Sequence, residues 1–387
     1  MRVLDLTSVV MGPMATQVLG DLGADVITVE AAKGETNRVM GVGPHPQLSG
    51  VSLNLLRNKR NVALNVKVPE GRDALLRIAA TCDVFVTNVR PSALARARLT
   101  YADIAGVRPD VIYCEAHGWP MDSARRDDPA YDDIIQAASG IADAARRVTG
   151  EPALAPTILA DKVCGLSIVY AITAALFHRE RTGQGEHIEV PMDETVVAFM
   201  LVEHGAAAVG RPPQGRAGYP RILTPQRRPQ RTLDGWIAVL PYDQRHYDEL
   251  FEAGGRPDLI GDPRYATGRA RIANSDFLYE QARGILATRT TADWLAFCGE
   301  RSIPATEVVS LDDLVDALPD GEHPAAGTYK VIPPPVRFAG APSSVRRPAP
   351  LVGQHTAEVL AEVGFDAAEI DGLRACGAIP RRRGDDP

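Results

Sequence analysis

At 387 residues the chain is longer than one hydrophobic core usually holds, so two domains are expected. Hydrophobic residues at 45% and charged residues at 24% describe an ordinary globular protein and exclude a disordered or fibrous one. A net charge of −7 excludes a general nucleic-acid binder, whose phosphate contacts need a basic surface.

The first half alternates short apolar runs with amphipathic ones, the pattern of a parallel sheet wrapped in helices. RVLDLT (2–7) reads as a strand, and Gly12-Pro13 opens a helix to about Leu22. ADVITVE (24–30) is the next strand. Pro69-Glu70-Gly71 introduces a helix to about Thr81, followed by a strand over 82–89. Another strand falls within 108–118, and a single helix is predicted over 131–146. A long helix runs from about Asp161 to Arg181 and is stopped by Thr182-Gly183-Gln184-Gly185; a strand at 186–190 leads into a helix at 192–204.

Residues 210–231, rich in Pro, Gly and Arg, read as a crossing segment between domains. Beyond it a strand around Trp236 and helices near 243–253, 275–288 and 291–301 form a smaller α+β unit. A Pro-rich strand is predicted at 331–340, then a turn and a helix after Pro350. The RRR at 381–383 reads as a solvated tail.

Several chemistries are argued against. The opening strand, turn and helix, with Glu30 ending the second strand, have a dinucleotide-binding outline, yet the loop Thr7–Pro13 lacks G-x-G-x-x-G. The Rossmann-like fold is therefore kept and the nicotinamide cofactor set aside. The eight histidines show no metal-binding spacing and are read as surface or capping residues, so no metal is expected. The five cysteines are dispersed without a C-x-x-C pair and read as reduced. No basic leader precedes an apolar stretch and no run is read as long enough to span a bilayer, so a cytoplasmic location is expected.

Eight segments carry a more specific signal. LDLTSVVMGPMATQVLGDLGADVITVE, RNKRNVALNVK, GRDALLRIAATCDVFVTNVRPSAL, PDVIYCEAHGW, PAYDDIIQAASG, ADKVCGLSIVYAITAALFHRERTGQGEHIEV, LDGWIAV and PLVGQHTAEVL follow in this order from end to end. Together they resemble the class III (CaiB/BaiF-type) coenzyme A transferases, a family that also holds α-methylacyl-CoA racemases. The resemblance implies an α/β fold with a Rossmann-like large domain built from both chain ends and a smaller central domain. Here that gives a large domain over 1–209 and 326–387, a linker at 210–231 and a small domain at 232–325. It implies an interlocked homodimer, with acyl-CoA and a small carboxylic acid as substrates.

The resemblance also implies an aspartate as covalent acyl carrier, which in the A-D-x-x-x-G context here is Asp161. A carboxylate nucleophile must be ionised, and the first turn of a helix favours the charged form. Such an aspartate is also a common helix cap, so local sequence alone does not single it out. For coenzyme A, whose phosphates need cations and backbone donors, the matching positions are Arg38, Leu64, Asn65, Lys67, Asn88, Val89, Arg90, Arg96, Ala130 and Tyr131, with Lys59 and Arg60 weaker. Val10 and Pro129 depart from the family pattern. So does the central glycine-rich loop, for which Gly215 and Gly218 are the nearest glycines. Where the racemases carry a histidine, this chain has Tyr131, a poor base at neutral pH; this favours the transferase over a racemase or epimerase on the same fold. A catalytically silent CoA-binding homologue is the remaining alternative.

Overall fold

The structure is a computed structural model, described for residues 1–340 and 343–381. The chain forms two compact units: residues 1–139, 155–198 and 318–387, and residues 140–154 and 199–317. Both chain ends therefore build the first unit. The borders fall at 139/155, 198/199 and 317/318, where the sequence reading had 209, 231 and 325. Residues 318–330 belong with the first unit because His323 hydrogen-bonds the carbonyl of Ala349 at 2.8 Å, and Ala326 and Tyr329 pack with Leu48, Leu53 and Leu56.

The first unit is organised by a six-stranded, all-parallel sheet: β1 (Arg2–Leu6), β2 (Asp25–Glu30), β3 (Lys59–Ala63), β4 (Val84–Thr87), β5 (Ile112–His117) and β6 (Glu186–Pro191). Their spatial order is β3-β2-β1-β4-β5-β6. β1, β4 and β5 are mostly apolar because helices cover both sheet faces, with Asp5, Glu115 and His117 buried in hydrogen bonds. Leu4 registers with Ile27 on one side and Phe85 on the other, all three fully buried. On the same core lie Leu75 and Ile78 of the helix Pro69–Ala79. Val359 and Leu360 of Thr356–Glu362 join it, with Ile370 and Leu373 of Ala367–Ala375. Helix Met11–Asp21 packs against helix Leu159–Thr182 closely enough that a Cβ on Gly165 would lie 2.8 Å from the Met11 carbonyl, so glycine is required there.

In the second unit β7 (Gln230–Arg231), β8 (Trp236–Val239) and β9 (Ala305–Glu307) form an antiparallel sheet. Helices Gln244–Ala253, Ser275–Leu286 and Thr291–Glu300 close over Ile237, Phe251, Tyr265, Leu278 and Trp294.

Four local expectations are corrected. The helix predicted over 131–146 is two, Asp132–Ala138 and Ile141–Thr149, broken where Gly140 takes φ +93°. No strand forms over 331–340, since Pro333, Pro334 and Pro335 offer no N–H to a ladder. A hairpin of β10 (Asp320–His323) and β11 (Gly327–Lys330) precedes it instead. β3, too polar to be read as a strand, is fully buried because its charges are paired: Lys59 Nζ lies 2.9 Å from Asp5, and Arg60 binds Asp25, Glu358 and Glu362. Finally, Leu159–Thr182 is long and apolar enough, by length and composition, to cross a membrane, where no such run was read. In this fold it packs on the first unit and carries Asp161 near its start. Of the arginine tail, Arg381 is exposed and residues 382 and 383 lie outside the described residues.

Candidate active site

In the order β3-β2-β1-β4-β5-β6 the chain reverses direction of progress between β1 and β4, and an open parallel sheet splays its loops apart at the carboxyl ends there. A cavity of about 440 Å³ lies at that point. Ser8, Val9 and Met11 follow β1 into it, Asn88, Val89 and Arg90 follow β4, and Ala116 and His117 end β5. Ala130, Tyr131 and Asp161 complete the wall.

The loop after β1 is held from several sides. Asn88 clamps it, its Oδ1 accepting from Ser8 N–H and its Nδ2 donating to the Ser8 carbonyl, both at 2.9 Å. Val9 takes φ +66°, a strained choice for a β-branched residue. Its N–H is caught by Glu35 at 3.1 Å. Lys59, the weaker coenzyme A candidate, anchors the same segment from below through Asp5, Thr16 and the Pro13 carbonyl. Its ammonium is fully buried, and desolvation pulls its pKa down against the charge of Asp5.

Asp161 is the third residue of its helix and is 7% exposed. Its N–H donates to Asp132 Oδ1 at 3.0 Å, and Asp132 is fixed in turn by Gln136 Nε2. The ionising effect expected from the first helical turn does not prevail. Burial, then the neighbouring charge of Asp132, push the Asp161 carboxyl up to about 6, against a hydrogen bond from the Met11 N–H. The group is thus ionised above pH 6 while remaining more basic than a free aspartate.

The other predicted positions divide. Tyr131 is 65% exposed at the rim, and Arg90 is exposed beside it. Leu64, Asn65 and Lys67 line a second cavity of about 430 Å³ at the carboxyl ends of β2 and β3, with Lys33 and Ile379. Lys67 is exposed there; the Asn65 side chain caps its own loop by accepting from Lys67 N–H at 3.2 Å. Arg96 stands exposed in the last turn of the helix Pro91–Ala97. Arg38 is brought to neither cavity. It is buried, paired with Glu30 through two bonds of 2.7 Å, and donates to the carbonyls of Gln47 and Pro350. The Glu30 carboxylate that ends β2 is committed to Arg38 and Asn61, in keeping with a dinucleotide cofactor having been set aside. Arg60 is committed to its three carboxylates. Gly218 lies in the second unit with φ +116° and bonds the His204 carbonyl at 2.7 Å.

Residues 1–356 match the description of CoA-transferase family III. The chain belongs to that family. A succinyl-CoA:glutarate CoA-transferase of Mus musculus is 32% identical over 388 residues, covering 98% of this chain and 89% of that protein. A formyl-CoA:oxalate CoA-transferase of Escherichia coli O157:H7 is 26% identical over 411 residues, covering 98% of each chain. A crystal structure from Mycobacterium tuberculosis superposes with TM-score 0.78 at 29% identity, covering 92% of this chain and 97% of that one. A CaiB/BaiF family protein from Brucella suis gives 0.77 at 26% identity, covering 94% and 98%.

Two residues of the cavity region were not singled out from the sequence. His117 was read as a surface or capping histidine, but it is buried, because the end of β5 enters the cavity wall. Asp132 was visible only as a neighbour of Tyr131; its role in holding Asp161 depends on two helices meeting.

Proposed function

We propose that this family member transfers coenzyme A from an acyl-CoA to a free carboxylic acid through Asp161. The observation that carries the reading is a buried carboxylate, raised to about 6 yet ionised at neutral pH, in the cavity at the switch point of a parallel sheet. Asp161 attacks the thioester carbonyl, the C–S bond breaks, and an aspartyl–acyl anhydride forms with the CoA thiolate. The thiolate then attacks the Asp161 carbonyl carbon and expels the first acid, leaving an aspartyl-CoA thioester. An acceptor carboxylate reverses the two steps. Thioester energy is retained throughout, so no nucleotide triphosphate enters. The second cavity, with Lys33 and Lys67, suits the nucleotide end of coenzyme A, and Arg90 suits an anionic group near the reacting end.

Tyr131 at the rim favours transfer over racemisation, because a phenol is a poorer proton acceptor than the imidazole the racemases carry there. The working form in this reading is a cytoplasmic, interlocked homodimer. What supports pairing is the apolar, exposed side of helix Leu159–Thr182, where Leu166, Tyr170 and Phe177 are each more than half exposed. The deciding experiment incubates the enzyme with acyl-CoA, traps with hydroxylamine and maps the adduct by peptide mass spectrometry. A hydroxamate at Asp161 is expected, and an adduct elsewhere, or full exchange by Asp161→Ala, would overturn the reading.

A further inference from the structure

His117 is placed where a catalytic group belongs. It is 4% exposed, ends β5, and shares the cavity of Asp161. Its Nε2 lies 3.0 Å from Glu115 Oε2. The other oxygen of Glu115 is held by His187 Nε2 at 2.5 Å, and His187 is itself stacked on Tyr101. Burial raises the Glu115 carboxyl, but the hydrogen bonds from His117 and His187 outweigh it and bring it down to about 2. Glu115 is therefore a carboxylate at every working pH and accepts only, so Nε2 must carry its hydrogen. That assignment fixes the direction of the ring and leaves Nδ1 as the functional nitrogen. Nδ1 is buried and has no hydrogen-bond partner among the described residues, although an orphaned buried polar atom costs roughly 1–3 kcal/mol. A histidine held by a carboxylate on one nitrogen and without a partner on the other is an arrangement that positions a proton carrier.

We propose that His117 is a second catalytic residue of the Asp161 site, carrying a proton at Nδ1 to and from the sulfur of coenzyme A, with Glu115 as its positioning residue. The inference rests on the Asp161 reading. In the first half-reaction Asp161 attacks the acyl carbon, the C–S electron pair goes to sulfur, and sulfur takes the Nδ1 proton. The neutral ring takes that proton back as sulfur attacks the aspartyl carbonyl and the first acid leaves as its carboxylate. No proton is gained or lost over the cycle, and no outside reductant or base is needed. The other charged groups of this cavity are Arg90, Arg126, Asp128 and Asp161; none of their side chains is hydrogen-bonded to a buried carboxylate as the His117 ring is to Glu115.

The test compares full-length wild type with His117→Gln and Glu115→Gln, each checked for unchanged melting. His117→Gln is expected to lower kcat by about 10²-fold, within the 10²–10⁴ range of general acid–base catalysis. The KM values for acyl-CoA and acid are expected to stay within roughly threefold. The wild-type pH–rate profile should show an alkaline limb that His117→Gln lacks. Glu115→Gln, which keeps the shape and removes the charge, should move the limb to lower pH. Hydroxylamine trapping should still mark Asp161 in His117→Gln, formed more slowly.

An unchanged kcat would overturn the proposal, as would a rise confined to the KM of the acid, which would make His117 an acceptor-binding residue. Deuterium uptake at the acyl α-carbon that His117→Gln abolishes would also overturn it, in favour of proton abstraction from carbon. Failure of the Asp161 reading is distinguishable: Asp161→Ala would then keep exchange activity whatever His117→Gln does.

Discussion

The burial that suits Asp161 to the proposed nucleophilic role should make it a burden on the fold, and Asp161→Asn separates the two. The carboxyl is raised from 3.8 to about 6 by desolvation and by Asp132. For an acid whose folded pKa lies above its unfolded one, the folded state binds the proton more tightly. Stability is therefore full below about 4 and declines as pH rises from 3.8 to 6, staying low above. About two units at 1.36 kcal/mol each give ~3 kcal/mol as an upper bound. Asn keeps an oxygen for the Met11 N–H and carries no charge toward Asp132. Asp161→Asn should therefore abolish exchange and yet be more stable than wild type at pH 7.5 by up to ~3 kcal/mol. With unfolding entropy of roughly 2.1 cal/mol/K per residue across the chain, that is a Tm rise of ~4 °C. Calorimetry of both proteins at pH 7.5 and at pH 4 measures it, and the difference should vanish at the lower pH. A variant no more stable at pH 7.5, or an advantage that persists unchanged at pH 4, would refute the electrostatic account of Asp161.

Other expectations follow from the same geometry. Wild-type exchange should lose activity below about pH 6 as Asp161 protonates, and Asp132→Asn should shift that acid limb downward in a pH–rate profile by removing the second cause of the raised pKa. Arg38→Ala leaves Glu30 buried and unpaired, which typically costs about 3–5 kcal/mol; it should appear as a large loss of Tm or of soluble protein, with little selectivity in KM for coenzyme A esters over pantetheine thioesters. Lys67→Ala should behave oppositely, melting like wild type but raising the KM for coenzyme A esters about tenfold or more, since a charge-assisted hydrogen bond contributes about 1.5–3 kcal/mol, while leaving pantetheine thioesters unaffected.

What could be read in advance follows from how local the cause is. β1, β4 and β5 are buried on both faces, so most of their positions are apolar and the runs were visible despite Asp5, Glu115 and His117. β3 is buried just as deeply, but its burial is made affordable by Asp5, Asp25, Glu358 and Glu362, partners up to 302 residues away. No window of sequence contains that information. The site divides by the same rule. Asp161 was legible because its segment matches a family pattern at the head of a helix. Arg38 looked like a phosphate ligand for the same reason, yet its guanidinium faces Glu30 across eight residues of chain and Pro350 across 312. A cation's type is visible in sequence, while its prior commitment to a buried carboxylate is a tertiary fact. His117 is the converse. Its spacing from Glu115, two residues along one strand, puts both side chains on the same face, a period-2 relation present in the letters C-E-A-H. That pairing alone describes many harmless strands. It becomes chemistry only because β5 ends one strand from the switch point between β1 and β4, where His117 lines the cavity of Asp161 with one nitrogen taken and one without a partner.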